Sequence, residues 1–329
     1  MKKNLGLIIL LTVACIATAI VNDRFLHPTN LENLLRRTAL FSLISIGVSF
    51  VITTGGIDLA IGSVVCLTGT ILPWLAVSQG WPWPIAASAL LCSAGMLGIA
   101  HGLLITRLKL QAFIVTLCGL LLYRGVTRGI TADQTQGFGV GFETLRAITQ
   151  TRITLGDTLP VAIPSVALIT LVLAIAAGVL INYTPFGLHL KAVGRSEVAA
   201  RYSGINTRGV IVTAYFASAL LAGLGGILFI LDVNSAQPSD FGNFYELYAI
   251  AAAVLGGCSL RGGEWSLVGI IIGTVLMQVL RNAIVLVDIP TQLEFAIIGG
   301  VILLGVTTEE LVRRRWGACS RSSATHLGA

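Results

Sequence analysis

Long apolar runs alternate with short polar segments, starting with Leu5 to Val21, Ala39 to Thr54, Gly62 to Val77 and Ile85 to Ile105. Further runs cover Ala112 to Leu122, Leu159 to Ile181, Val210 to Leu231, Tyr245 to Leu255, Ser266 to Val287 and Ile289 to Val306. Most approach the length of about 20 residues that a helix needs to cross a bilayer. The pattern therefore predicts an all-α polytopic membrane protein, a single transmembrane domain over residues 1–329 with about ten transmembrane helices. The first run follows Lys2-Lys3, and Ala17-Thr18-Ala19 has the small-residue spacing of a signal-peptide cleavage site. Because more spans follow, an uncleaved first span is preferred.

The polar segments have their own punctuation. Asn22 to Thr38 suggests a turn at His27-Pro28 into a short surface helix, and Ser78 to Pro84 turns the chain beside Trp74, Trp81 and Trp83, as in an interfacial aromatic belt. Residues 123–158 form the longest polar loop, and a second insert covers 182–208. Within it Ser196 can cap a brief helix, Glu197 and Arg201 suit its two dipole ends, and Gly204 can stop it in a left-handed conformation.

Two glycine breaks interrupt closely spaced spans, Gly55-Gly56 with Asp58 and Gly62 in the first half, and Gly256-Gly257 through Gly263 in the second. Paired interrupted helices can flank a central pathway, while tight turns and close helix packing use glycine too. Asp58 is expected to cap the next helix, accepting from N–H groups around Ala60 to Gly62. With no second buried carboxylate expected, an ion-coupled carrier built on Asp58 is the less favoured alternative.

Composition narrows the class. The chain is 55% apolar and 11% charged, and its 37 glycines without low-complexity tracts indicate close helix packing. Its net charge of +6 matters less than where the charges lie, and gives no support for a nucleic-acid partner. Most of the 21 Lys and Arg residues, among them Lys2, Lys3, Lys191, Arg195, Arg201 and Arg313 to Arg315, fall on one side of the expected topology. The positive-inside rule then makes both termini, the 182–208 insert and the basic tail 313–329 cytoplasmic, with 123–158 external. Six cysteines without a CxxC pair and four scattered histidines predict neither a disulfide framework nor a metal site. No GxxxxGK[ST], GxSxG or HExxH sequence occurs, so no catalytic residues are assigned and no ATP site of that kind is expected in this chain. Uncharged Asn234, Gln237 and Asn282 are the candidates for contact with a neutral polyol in the pathway.

Four ordered stretches carry a family resemblance. They are Gly55-Gly56-Ile57-Asp58-Leu59 with Gly62-Ser63; Ala112 to Leu117 with Tyr123-Arg124-Gly125; Ala192-Val193-Gly194 with Glu197 to Arg201 and Ser203-Gly204-Ile205; and Tyr245-Glu246-Leu247 with Leu255-Gly256-Gly257. The chain resembles permease subunits of ribose-type monosaccharide ABC transporters, in the wider group that includes branched-chain amino-acid permeases. The resemblance implies a type II importer-like fold with two related halves in a prokaryotic inner membrane. It also implies a second permease chain, two cytoplasmic ATPases that hold ATP and Mg, and an external sugar-binding protein. The segment with Gly194, Arg195, Glu197, Ala199, Ala200, Arg201 and Gly204 resembles the loop that seats on the ATPase. Tyr248, Arg195 and Cys258 to Arg261 depart from the family pattern, which leaves sugar identity open, with a nucleoside-like cargo as an alternative.

Overall fold

The computed structural model describes residues 5–153, 162–301, 303 and 307. Its helices are α1 (Leu5–Val21), α2 (Pro28–Thr53), α3 (Ile61–Pro73, continued by a wider turn Trp74–Ser78), α4 (Trp83–Arg107), α5 (Ala112–Ile130) and α6 (Glu143–Gln150). They continue as α7 (Ser165–Tyr183), α8 (Pro185–Arg195), α9 (Glu197–Tyr202), α10 (Thr207–Val233), α11 (Tyr245–Leu255) and α12 (Leu267–Leu286). Among the described residues, seven helices are long and apolar enough to cross a membrane, and Gly6–Val21 and Tyr245–Leu255 are shorter apolar helices. The chain is an all-α polytopic membrane protein. Of the expected last span, residues 294–301 are helical, while 302, 304–306, the tail 313–329 and the beginning of the sixth run at 159–161 lie outside the described residues.

The core is α3, most of α10 and α2 from Thr38 onward, apolar stretches buried by other helices. Between α4 and α10 the backbones approach closely: a methyl at Gly95 would lie 2.7 Å from the Phe216 ring, and one at Gly102 2.6 Å from Val212 Cα. Hydroxyls inside α2 turn back on their own helix, with Ser45 donating to the Phe41 carbonyl (2.9 Å) and Thr53 to that of Ser49 (2.7 Å). This satisfies them where no water reaches.

Three segments differ from the sequence expectation. Asn22 to Thr38 does turn before Pro28, through a single 3-10 turn Asp23–Leu26, but no separate surface helix follows, because Pro28 opens α2 at its first turn and the helix runs unbroken to Thr53. Its charged start is paired: Arg36 meets Glu32 (2.9 Å) and Asp232 (3.3 Å), and Arg152 meets Glu32 (2.9 Å). The fifth span does not stop at Leu122. Helix α5 continues to Ile130 because Arg124 reaches the Ser239 carbonyl (3.2 Å) and Arg128 pairs with Asp133 (2.7 Å).

Segment 123–158 is accordingly more than a loop. It holds the end of α5, the helix α6 and a two-residue strand β1 (Arg152–Ile153) paired antiparallel with β2 (Ile163–Pro164), and Gln136 bridges to Ala236. At the start of α6, the N–H groups of Glu143 and Gly141 hold the Glu143 carboxyl below the usual carboxylate range. The insert 182–208 contains α8 as well as the expected short helix α9. The start of α2 and the ends of α10 and α12 share one end of the bundle, tied by Asn22 to the Leu286 carbonyl (2.7 Å) and by Arg36 to Asp232.

Candidate functional site

At the opposite end the two glycine breaks meet. Helix α2 stops because Gly55 takes φ +82°, which closes the bonds Gly55 N–H to the Ile52 carbonyl (2.9 Å) and Gly56 N–H to that of Val51 (3.2 Å). Helix α11 stops in the same way at Gly257, φ +88°, with Cys258 N–H donating to the Ala253 carbonyl (3.0 Å). The chain beyond α11 then folds back so that Gly263 N–H donates to the Thr53 carbonyl (2.9 Å).

Gly194, at the end of α8, wedges between these breaks. A methyl at Gly194 would overlap both the Thr53 carbonyl and the Gly263 nitrogen, and one at Gly262 would lie 2.6 Å from the Gly194 carbonyl oxygen and 2.8 Å from Gly55 N. Arg195 is exposed, its stem beside Gly263. Three sequence-distant segments thus touch backbone to backbone. Gly256 plays a parallel part between α11 and α12, where a methyl would overlap Gly269.

The same α8 end leads directly into α9. Ser196 caps it, its Oγ accepting from Ala199 N–H (3.2 Å), and Glu197 pairs with Arg201 (2.6 Å). Gly204 ends it with φ +82°. Ala200 faces the bundle, whereas Ala199, Val198 and Tyr202 face outward, with Tyr202 89% exposed. Helix α9 thus presents an aromatic ring and an ion pair outward and is fixed by its base to both glycine breaks.

Asp58 lies between α2 and α3, only 2% exposed. Its cap is narrower than the expected one around Ala60 to Gly62, since Oδ1 accepts from Ala60 N–H alone (3.1 Å) and Oδ2 accepts from the Ser218 hydroxyl of α10 (2.9 Å). The adjoining Ile57 carbonyl accepts from the Tyr215 hydroxyl (3.1 Å), and Tyr123 and His101 meet through Oη and Nε2 (2.7 Å). Two further buried carboxylates exist, contrary to expectation: Glu32, paired with Arg36 and Arg152 at the other end of the bundle, and Glu246 on α11. Glu246 lies against Gly62, where a methyl would overlap its Oε2, and that oxygen has no hydrogen-bond partner. No group of His, Cys, Asp and Glu among the described residues is arranged to hold a metal ion.

The family model described as branched-chain amino acid transport system / permease component matches residues 30–306. The chain belongs to this permease family. It is 38% identical to the ribose import permease protein RbsC of Bacillus subtilis over 92% of each chain, and 35% identical to RbsC of Haemophilus influenzae over 94% of this chain and 92% of that one. The xylose transport system permease protein XylH of Escherichia coli is 28% identical, over 95% and 94%. No solved structure matches the chain significantly.

In this permease the three residues expected in the pathway do not come together at one place. Asn234 caps α10 with φ 54°, and its Oδ1 accepts from Phe138 N–H (2.9 Å). Gln237 donates to the Asp133 carbonyl (3.0 Å) and accepts from the Thr135 hydroxyl, while Asn282 exchanges amide bonds with Asn30 (2.8 and 3.1 Å). Asn234→Gly keeps the left-handed cap but loses the bond to Phe138, so a melting measurement in detergent should read a loss of about 1 kcal/mol, and Asn234→Val should cost more.

Residues missed by sequence reasoning include Tyr123, Tyr215 and Ser218. For Tyr123 the signal is periodic, since Thr116, Gly119, Tyr123 and Thr127 recur at helical spacing and form the buried stripe of an otherwise exposed α5, whereas Tyr215 and Ser218 lie on the largely buried α10 without such a pattern.

Proposed function

We propose that this chain is the membrane subunit of an ATP-driven importer for a monosaccharide, a pentose such as ribose foremost. The observation that carries this reading is the backbone junction linking exposed α9 to both glycine breaks, in a chain alike over most of its length to ribose import permeases. Two permease chains form the passage in the inner membrane of a prokaryote, with both termini, α9 and the glycine junction cytoplasmic and the α6 segment external. ATP and Mg bind to separate cytoplasmic ATPase subunits, consistent with the missing GxxxxGK[ST] sequence here. An external binding protein delivers the sugar.

In this mechanism the ATPase pair closes on ATP and moves α9. Because α8 packs through Gly194 against Thr53 and Gly263, the movement reaches the end of α2 and the connection from α11 to α12 together, and the passage opens to one side and then the other. Val198 and Tyr202 supply the apolar contact to the ATPase, beside the Glu197–Arg201 pair. Tyr202→Ala removes a large exposed aromatic contact and should weaken ATPase binding about tenfold or more in a titration of the detergent-solubilised subunits. The function itself is tested in proteoliposomes containing the chain, its ATPase and its binding protein. Ribose or xylose should accumulate only with ATP, and accumulation that persists with a hydrolysis-dead ATPase would overturn the proposal.

A further inference from the structure

Helix α12 carries Arg281 on a face that the chain leaves partly open. Arg281 Nε donates to Glu294 Oε1 (2.7 Å), and the Tyr248 hydroxyl donates to the same oxygen (3.0 Å). The guanidinium lies 4.8 Å over the Tyr248 ring and 5.6 Å from the ring of Phe41, a residue at the middle of the 26-residue α2. Phe295 stacks on Tyr248 (6.3 Å, 15°) and is 52% exposed. The Arg281 and Glu294 side chains keep 26% and 16% of their surface. Among the described residues, neither Nη group of Arg281 nor Glu294 Oε2 has a hydrogen-bond partner. One turn inward on α12, buried Gln278 has an Nε2 with no partner.

Lipid is a poor neighbour for this arrangement, because an open ion pair reaching the middle of a bundle is retained where water or a polar ligand meets it. The chemistry also limits the ligand. Glu294 balances Arg281, so the pair offers no net charge to an ion. It does offer free N–H donors and a free carboxylate oxygen next to flat aromatic faces, the combination that holds hydroxyls on one side and C–H bonds on the other.

We propose that Arg281, Glu294, Tyr248 and Phe295, with Gln278 behind them, form a subsite for a neutral polyol on the translocation pathway. This rests on the importer reading above. The site grips the sugar briefly during passage, after the binding protein releases it.

The test uses the assembled transporter in proteoliposomes with radiolabelled ribose and xylose, and reads sugar imported per ATP hydrolysed. The double variant Arg281→Leu/Glu294→Leu removes both charges together, a replacement that apolar surroundings tolerate, and its assembly is checked by size-exclusion chromatography. It should lower the ratio about tenfold, and Phe295→Leu should lower it less. A diazirine-bearing pentose should photolabel residues 294–300 in the unaltered complex and fail to do so in the double variant. A double variant that imports at the unaltered ratio overturns the subsite and makes the pair a structural tie. Labelling of this face by a lipid probe but not by the pentose overturns it too. If the unaltered complex imports no monosaccharide, the importer reading fails first, a separate result.

Discussion

Replacing Gly194 by alanine should reduce ATP-driven sugar uptake by about tenfold or more. The added methyl has no flexible side chain to push aside, since the Thr53 carbonyl and the Gly263 nitrogen fill its place and are themselves hydrogen-bonded to each other. The end of α8 must move away from α2, with an overpacking cost of about 1–3 kcal/mol. Stability and coupling fall together, because the same backbone contact carries both. Gly204→Ala is the comparison: nothing lies within 4 Å of its new methyl, so only the positive φ of 82° is penalised, by about 1 kcal/mol. Melting in detergent and uptake per ATP, measured on both variants, decide the matter. If Gly194→Ala couples as well as the unaltered chain, the junction is not the route from α9 to the breaks.

At Asp58 the expected effects separate size from charge. Asp58→Ala strands the Ser218 hydroxyl and the Ala60 N–H in a buried site, each at about 1–3 kcal/mol, so a loss of about 3 kcal/mol is expected in melting experiments. Asp58→Asn keeps the shape and an acceptor oxygen, and should stay within about 1 kcal/mol. Its uptake in liposomes without an ion gradient should be normal. Loss of uptake in Asp58→Asn at unchanged melting would revive the ion-coupled alternative. Both carboxylate oxygens are already bonded within the chain, which favours the structural tie.

Much of this was legible in the sequence, and what was not has identifiable causes. Apolar runs located most spans, because a bilayer demands length and lack of charge more than any particular residue. The start of α2 and the end of α5 were lost for the same reason in reverse: Glu32, Arg36, Arg124 and Arg128 read as solvated loop, whereas each finds a partner distant in sequence or one turn away. Gly55 and Gly257 announced breaks, since helix stops at positive φ favour glycine. That the breaks meet each other and Gly194 could not be read from spacing, because contacts across some 200 residues leave no local pattern. Glu246 escaped notice as a buried acid because it opens α11, where an acid also suits the helix dipole. Arg281 was visible as a cation inside an apolar run, but its counterion Glu294 lies across a turn in the next helix.

The glycine junction also orders events during synthesis. Gly55 emerges roughly 200 residues before Gly262, and at ribosomal rates of about 5–20 residues per second its partner arrives roughly 10–40 s later. Until then the α2–α3 turn lacks Gly262 and Gly263 packed against it. A chain truncated before residue 262 carries the early helices yet lacks this clasp, so the end of α2 must hold through that interval without the backbone bond from Gly263 to Thr53.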